Sequence, residues 1–271
     1  MRTVRVSSVE IACHDVGRGD PVLLINGTGE AGQTWLPLVE PLADRWRFIA
    51  IDQRDTGAST YVDAPYTPRD LAADAIAVIE GLGVGPCHVA GFSLGGAVAQ
   101  EIAIARPDLV RSLVLLSTWA RSDGWFVSQM RQWQMLRAAH PDDEDAFMRA
   151  IDPWMFAPAT FEHPETYQRI HAMWARAPGQ RADGLHRQCD ADIAHDARDR
   201  LGAVRAPGLV LVGRDDICTP PRYALELVSL LADAEYVEIA DAGHCALFEK
   251  PDEVRAAIEG FLRRVHASPG P

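Results

Sequence analysis

Cys87-His88-Val89-Ala90-Gly91-Phe92-Ser93-Leu94-Gly95-Gly96, continuing into Ala97-Val98-Ala99-Gln100-Glu101-Ile102-Ala103-Ile104-Ala105, is the stretch on which the reading of this chain turns. A short strand-like run passes at once into a glycine-rich turn, and the turn passes at once into a helical pattern. Such an abrupt change forces the central Ser93 into a strained backbone conformation, and glycines two positions to either side let the segments pass closely. The hydroxyl is then left exposed beside a helix N-terminus, where backbone N–H groups and the helix dipole favour developing negative charge. This is the framing that a G-x-S-x-G nucleophile elbow demands. The bare pentapeptide is a weak signal, and the strand-turn-helix context gives it weight.

A serine alcohol is a poor nucleophile at neutral pH, so Ser93 needs a base and a group that holds the base. Downstream, Asp241-Ala242-Gly243-His244 follows the apolar run Tyr236-Val237-Glu238-Ile239, which places His244 in a loop at a strand end. Of nine histidines it is the best placed. His14, His140, His163, His171, His186, His195 and His266 read as surface or satisfied core residues, and His88, within a strand, as structural. The acid is expected at the end of the preceding strand, where Leu209 to Gly213 runs into Arg214-Asp215-Asp216-Ile217-Cys218-Thr219-Pro220. Asp215 and Asp216 compete for the role, and their side chains leave the backbone in different directions, so one of them reaches the imidazole. Asp123 is a weaker third choice.

At 271 residues the chain suits one α/β core with an insertion. Strand-like runs are expected at Val4 to Ser8, Val9 to Val16, Pro21 to Asn26, Trp46 to Asp52, Cys87 to Gly91, Ser112 to Ser117, Gly208 to Gly213 and Ala234 to Ala240. They alternate with helical patterns in the manner of βα units, so the sheet is expected to be mostly parallel. Leu113-Val114-Leu115-Leu116 is continuously apolar, as for a strand covered on both faces. Thr67-Pro68-Arg69-Asp70 reads as a helix start before Leu71 to Leu82, Thr219-Pro220 repeats the signal before Arg222 to Leu231, and Pro251 to Val265 reads as a closing amphipathic helix. Between about Trp119 and Ala203 the pattern is helical, and five of seven tryptophans and five of six methionines fall there. We read residues 1–118 and 204–271 as the core and 119–203 as an inserted helical cap. Its aromatic and methionine side chains either form the cap's own core or shape an apolar substrate pocket, with Trp125 and Trp154 the first candidates for the pocket.

The formal charge of −12 repels phosphate backbones and anionic lipid, and no run of basic residues offsets it, so neither nucleic acid nor a membrane is an expected partner. Cys13, Cys87, Cys189, Cys218 and Cys245 are odd in number and scattered without a C-x-x-C pair, which argues against a disulfide framework or a structural zinc. No ligand spacing suggests a metal, no G-x-G-x-x-G follows a strand, and no cofactor is expected. Met1-Arg2-Thr3-Val4-Arg5 leads directly into a strand-like pattern without a secretory apolar region, so export is not expected, and the scattered cysteines fit a reducing cytoplasm. The sequence leaves a homo-oligomer open.

Taken together, the elbow, Gly243-His244 and the acid loop resemble the α/β-hydrolase superfamily, and the resemblance covers nearly the whole chain outside the cap. In that family's G-x-x-D-x-x-x-P pattern the acid lies three residues after the glycine, so Gly213 selects Asp216, Pro220 completes the match, and Asp215 becomes a neighbour. Glu249-Lys250-Pro251 is similar to the start of the family's last helix. Asp52-Gln53-Arg54-Asp55-Thr56-Gly57-Ala58-Ser59 resembles its D-x-R-G-x-G-x-S segment, with Asp55 where glycine is usual. Asn26-Gly27-Thr28-Gly29 resembles its H-G-x segment, with Asn26 in place of histidine. The resemblance implies an oxyanion hole built from the Leu94 and Thr28 N–H groups, with the amide of Asn26 bearing on substrate choice.

The expected fold is therefore an α/β-hydrolase fold with an inserted helical cap. The expected reaction is acyl transfer to water from an ester, lactone or thioester of a small, mainly apolar substrate, with Ser93 as nucleophile, His244 as base and Asp216 as its orienting acid. Within the superfamily the chain looks most like the enol-lactonase, esterase and cofactor-free haloperoxidase cluster, and also like polyketide-tailoring methylesterases. Carbon–carbon bond hydrolases of diketones share Gly213-Arg214-Asp215-Asp216, although many have asparagine where Phe92 stands. A catalytically silent, ligand-binding relative is the alternative from another class.

Overall fold

The computed structural model describes residues 1–175 and 179–267 of the chain. Eight strands form one sheet in the order β1-β2-β4-β3-β5-β6-β7-β8. The opening hairpin of β1 (Arg2–Val6) and β2 (Val9–Gly17) is antiparallel, and β2 also pairs antiparallel with β4 (Trp46–Ile51). All later neighbours are parallel: β3 (Asp20–Ile25) beside β4 and β5 (Cys87–Phe92), then β6 (Val110–Leu116), β7 (Gly208–Gly213) and β8 (Ala234–Ile239).

Alternating side chains along each inner strand divide the core into two layers. Val22 and Leu24 of β3 face one way and pack in the cluster holding Trp35, Phe48, Phe92, Phe261 and Leu262. Leu23 and Ile25 face the other way and pack with Leu71, Ile79, Val98 and Ile102. The first layer is closed by α1 (Leu36–Val39) and α11 (Pro251–Ala267), the second by α2 (Pro68–Leu82), α3 (Leu94–Ala105) and α9 (Pro221–Leu230).

The expected start of α2 is present: Pro68 opens the helix and Asp70 accepts from the Thr67 backbone N–H at 2.8 Å, so an acid in the first turn satisfies a donor outside the helix. Gly83 at φ +63° closes it. The second start signal differs from expectation. Pro220 is the N-cap of α9, and the Thr219 hydroxyl turns instead to Asp216.

From Gly124 to Ala194 the chain forms α4 (Gly124–Ala139), α5 (Glu144–Met155), α6 (Pro158–Phe161), α7 (Pro164–Ala175) and α8 (Ala182–Ala194) between β6 and β7. Their inward faces do not form a separate core: Phe126, Trp133, Phe147, Ile151, Met155, Trp174 and Leu185 join the first layer without a break. A short helix, α10 (Ala246–Glu249), precedes α11. No helix among the described residues is long and apolar enough to cross a membrane.

Candidate active site

Ser93 stands between β5 and α3 with φ +52° and ψ −119°, a strained pair that few non-glycine residues hold. The surroundings enforce it. The Ser93 N–H donates to Leu116 O at 2.9 Å, while Ser93 O accepts from Gly96 N at 2.9 Å and from the Thr118 hydroxyl at 2.9 Å. A methyl group at Gly95 would lie 2.1 Å from Ile25 O, and one at Gly91 would lie 2.1 Å from Gly95 O, so the tight passage excludes any side chain. Leu94 is the first residue of α3, where the early N–H groups have no acceptor within the helix.

The Ser93 hydroxyl lies 3.1 Å from His244 Nε2, and His244 Nδ1 lies 3.0 Å from Asp216 Oδ2. His244 and Asp216 are almost fully buried and Ser93 is 8% exposed, so the line of hydrogen bonds reaches open space only at its serine end. Burial works against a charge on the ring, and the Asp216 carboxylate at Nδ1 favours it, with the imidazole pKa held well above the usual histidine value. Asp215 is held by its backbone, its N–H donating to Ala242 O at 2.9 Å. Asp123 caps α4, accepts from Tyr223 at 2.6 Å, and takes no part in the line. His88 binds the Ser112 hydroxyl at 2.7 Å inside the sheet, where burial pulls its pKa down to about 4.

Several residues in this constellation were missed from the sequence. Thr219 donates its N–H and its hydroxyl to Asp216, at 2.7 Å and 2.8 Å. Glu249 accepts from Gly243 N at 2.7 Å and from Ala157 N at 2.9 Å, so one carboxylate ties the His244 loop to the inserted helices. The Gly-His dipeptide and Glu249 are near neighbours in sequence, yet nothing in the sequence announces that Ala157 would meet them. Cys218 and Cys245 are buried and free, and burial pushes both thiol pKa values up.

Thr28 lies in the loop after β3. A methyl at the preceding Gly27 would be 3.1 Å from Ser93 Cβ, so this loop rests directly on the serine. Asn26 is placed differently from expectation. Its side chain is fully buried and donates to Ala31 O and, at 2.6 Å, to the Thr34 hydroxyl, so it braces the loop.

A cavity of about 60 Å³ opens beside Thr28, with Glu30 and Thr34 on the loop side and Trp133, Phe147, Met148, Ile151, Met155, Trp174 and Leu185 of the inserted helices opposite. Burial pushes the Glu30 carboxyl up to about 7. Arg137 also lines it, paired with Glu144 at 2.8 Å and stacked 3.9 Å from the centre of the Phe147 ring. Trp125 and Trp154 are absent from this wall. They pack on each other with ring centres 6.0 Å apart, Trp125 is 48% exposed, and its indole N–H reaches Ile217 O at 3.4 Å. Helical phase is the reason: Trp133 lies on the inward face of α4 and Trp125 on its outer face, a distinction that clustering of tryptophans alone does not reveal.

A family model described as the alpha/beta hydrolase fold matches residues 20–251. A Mycobacterium tuberculosis protein named as a non-heme bromoperoxidase, BpoC, is 34% identical to this chain over 267 residues, covering 96% of this chain and 100% of that one. A protein of Azorhizobium caulinodans named as a carbamate hydrolase, RutD, is 31% identical over 258 residues, covering 92% and 93%. Among solved structures, a thermophilic esterase from Thermogutta terrifontis superposes with a TM-score of 0.86 at 29% identity, covering 98% of this chain and 100% of that one.

Proposed function

This chain belongs to the α/β-hydrolase fold family, and from that premise we propose that it is a serine hydrolase cleaving an ester or lactone carbonyl of a small, mainly apolar substrate through an acyl-enzyme on Ser93. The observation that carries this reading is the unbroken line from the Ser93 hydroxyl through His244 to Asp216, with contacts of 3.1 Å and 3.0 Å. In the first step His244 Nε2 takes the serine proton as Oγ attacks the carbonyl carbon, and Asp216 stabilises the imidazolium and fixes its tautomer. The negative oxygen of the tetrahedral intermediate is received by the N–H groups of Leu94 and Thr28, each such donor being worth about 10²–10³ in rate. His244 then protonates the leaving alcohol, and water repeats the sequence on the acyl-enzyme.

The inserted helices act in this reading as a lid whose apolar wall holds the acyl portion. Trp133, Trp174, Met148 and Met155 supply contact area that adapts in shape. The cavity of about 60 Å³ meets the site through Thr28, with Ser93 and His244 outside its lining, and its volume favours a short acyl group. The activities named for two relatives, esterase and carbamate hydrolase, both begin at an acyl carbon of this kind. The test is turnover of esters and lactones of graded chain length by wild type and Ser93→Ala. Turnover confined to wild type and highest for short acyl groups supports the reading, and equal turnover by both proteins refutes it.

A further inference from the structure

The loop that carries Thr28 has neither a ladder nor a helix of its own to hold it, and Gly27 and Gly29 flank the residue. At Thr28 and Gly29 its restraint comes from α8. The Thr28 hydroxyl donates to Asp192 Oδ2 at 2.6 Å, and the Gly29 N–H donates to Gln188 Oε1 at 2.8 Å. Asp192 and Gln188 are four residues apart, so they project from one face of the helix. Gln188 is itself fixed, its Oε1 accepting from Gln180 Nε2 at 3.0 Å and its Nε2 donating to Arg54 O at 3.3 Å. On the other side of Thr28, Asn26 O accepts from Gln53 Nε2 at 2.8 Å.

We propose that Asp192 is a positioning residue that aims the Thr28 backbone N–H at the reacting oxygen, so that a helix of the lid sets the geometry of the oxyanion hole. The inference rests on the reading of Thr28 as an oxyanion donor. With the Thr28 hydroxyl and the peptide after it both pinned, little rotation is left to the Thr28 N–H, which follows the Gly27 that rests on Ser93. A donor contributes through being aimed before the charge develops, so a loop that wanders loses rate without losing substrate.

Two observations separate this role from simple docking of α8. The helix is fastened to the core independently, since Arg187 pairs with Asp55 through contacts of 2.7 Å and 3.2 Å and Leu185 and Cys189 pack in the apolar layer. Asp192 is also costly to keep, because it is 1% exposed and its Oδ1 has no partner. Burial pushes its carboxyl up to about 8, against the Thr28 hydrogen bond, which favours the charged form.

The test is steady-state kinetics on a short ester with Asp192→Ala, Thr28→Val, their combination and Asp192→Asn. Asp192→Ala and Thr28→Val should each lower kcat by about 10- to 100-fold with KM little changed, less than the loss of a donor outright. The combination should be no worse than the poorer single variant, because both remove one contact. Asp192→Asn keeps an acceptor for the hydroxyl and should restore most of the kcat lost in Asp192→Ala. Additive losses, a rise in KM at constant kcat, or equal damage from Asn and Ala would overturn the proposal. If Ser93 proves not to be the residue acylated, the functional reading fails; if Ser93 is acylated and Asp192→Ala turns over like wild type, only this inference fails.

Discussion

Thr219 grips Asp216 at both carboxylate oxygens, its N–H 2.7 Å from Oδ1 and its hydroxyl 2.8 Å from Oδ2, while the same hydroxyl lies 3.1 Å from His244 Nδ1. The acid is thereby fixed before it meets the imidazole. Asp216→Asn should lower kcat by about 10⁴ through the wrong histidine tautomer. Thr219→Val removes one hydrogen bond to a charged group, worth about 1.5–3 kcal/mol, and should cost about 10- to 100-fold. Thr219→Ser should recover most of it. Asp215→Asn should cost far less than Asp216→Asn; equal losses would move the acid to the neighbouring residue.

The pH profile follows from His244. Catalysis needs the neutral ring, and the folded site holds its pKa well above the usual histidine value, so the protonated, inactive form persists to higher pH than for a free histidine. kcat/KM should therefore rise with pH on an acid limb lying above about 6.5. Asp216→Asn removes one of the groups that raise the pKa, and NMR titration of the ring should then give a lower value. An acid limb below the ordinary histidine range would contradict this.

Selectivity should reside in the tryptophans that line the cavity. Trp133→Ala or Trp174→Ala should shift preference toward longer acyl chains, each further methylene accommodated being worth about 0.8 kcal/mol, or about fourfold in kcat/KM. Trp125→Ala should leave the ranking of chain lengths as in wild type, because that ring faces solvent. A changed ranking in Trp125→Ala with none in the other two would reverse the assignment.

Much of this was legible in the sequence because the deciding features are local. The elbow, the apolar runs and the Gly213–Pro220 spacing each lie within a few residues, so steric and periodic arguments reach them, and the strands appear within a few residues of their expected positions. What escaped depends on contacts between distant segments. Thr219 looked like a helix cap because its neighbourhood carries that signal, and only the position of Asp216 shows where its hydroxyl goes. Asp192 and Thr28 are separated by 164 residues, and Asp55 and Arg187 by 132. Asp55 stood out as a departure from the family's glycine, but its partner is set by how α8 crosses the core, which no local pattern encodes.

That departure gives a stability prediction. Asp55 is fully buried at φ +66° and accepts from Val62 N at 2.8 Å, Tyr66 at 2.9 Å and Arg187 at 2.7 Å. Asp55→Gly would relieve a left-handed backbone worth about 1 kcal/mol, yet would take the paired carboxylate from Arg187, which keeps Asp183 at 3.0 Å, and the acceptor from Val62 N and Tyr66, each hydrogen bond to a charged group being worth about 1.5–3 kcal/mol. Denaturant unfolding should thus show a net loss of stability, and Asp55→Gly combined with Arg187→Met should recover part of it. A stabilised Asp55→Gly would mean that the pair contributes little.

The central claim is that Ser93 is the nucleophile. Wild-type protein treated with a fluorophosphonate and analysed by peptide mass spectrometry should carry a single adduct on Ser93, and Ser93→Ala should be neither labelled nor active. An adduct on another serine, or turnover that survives in Ser93→Ala, would contradict the account.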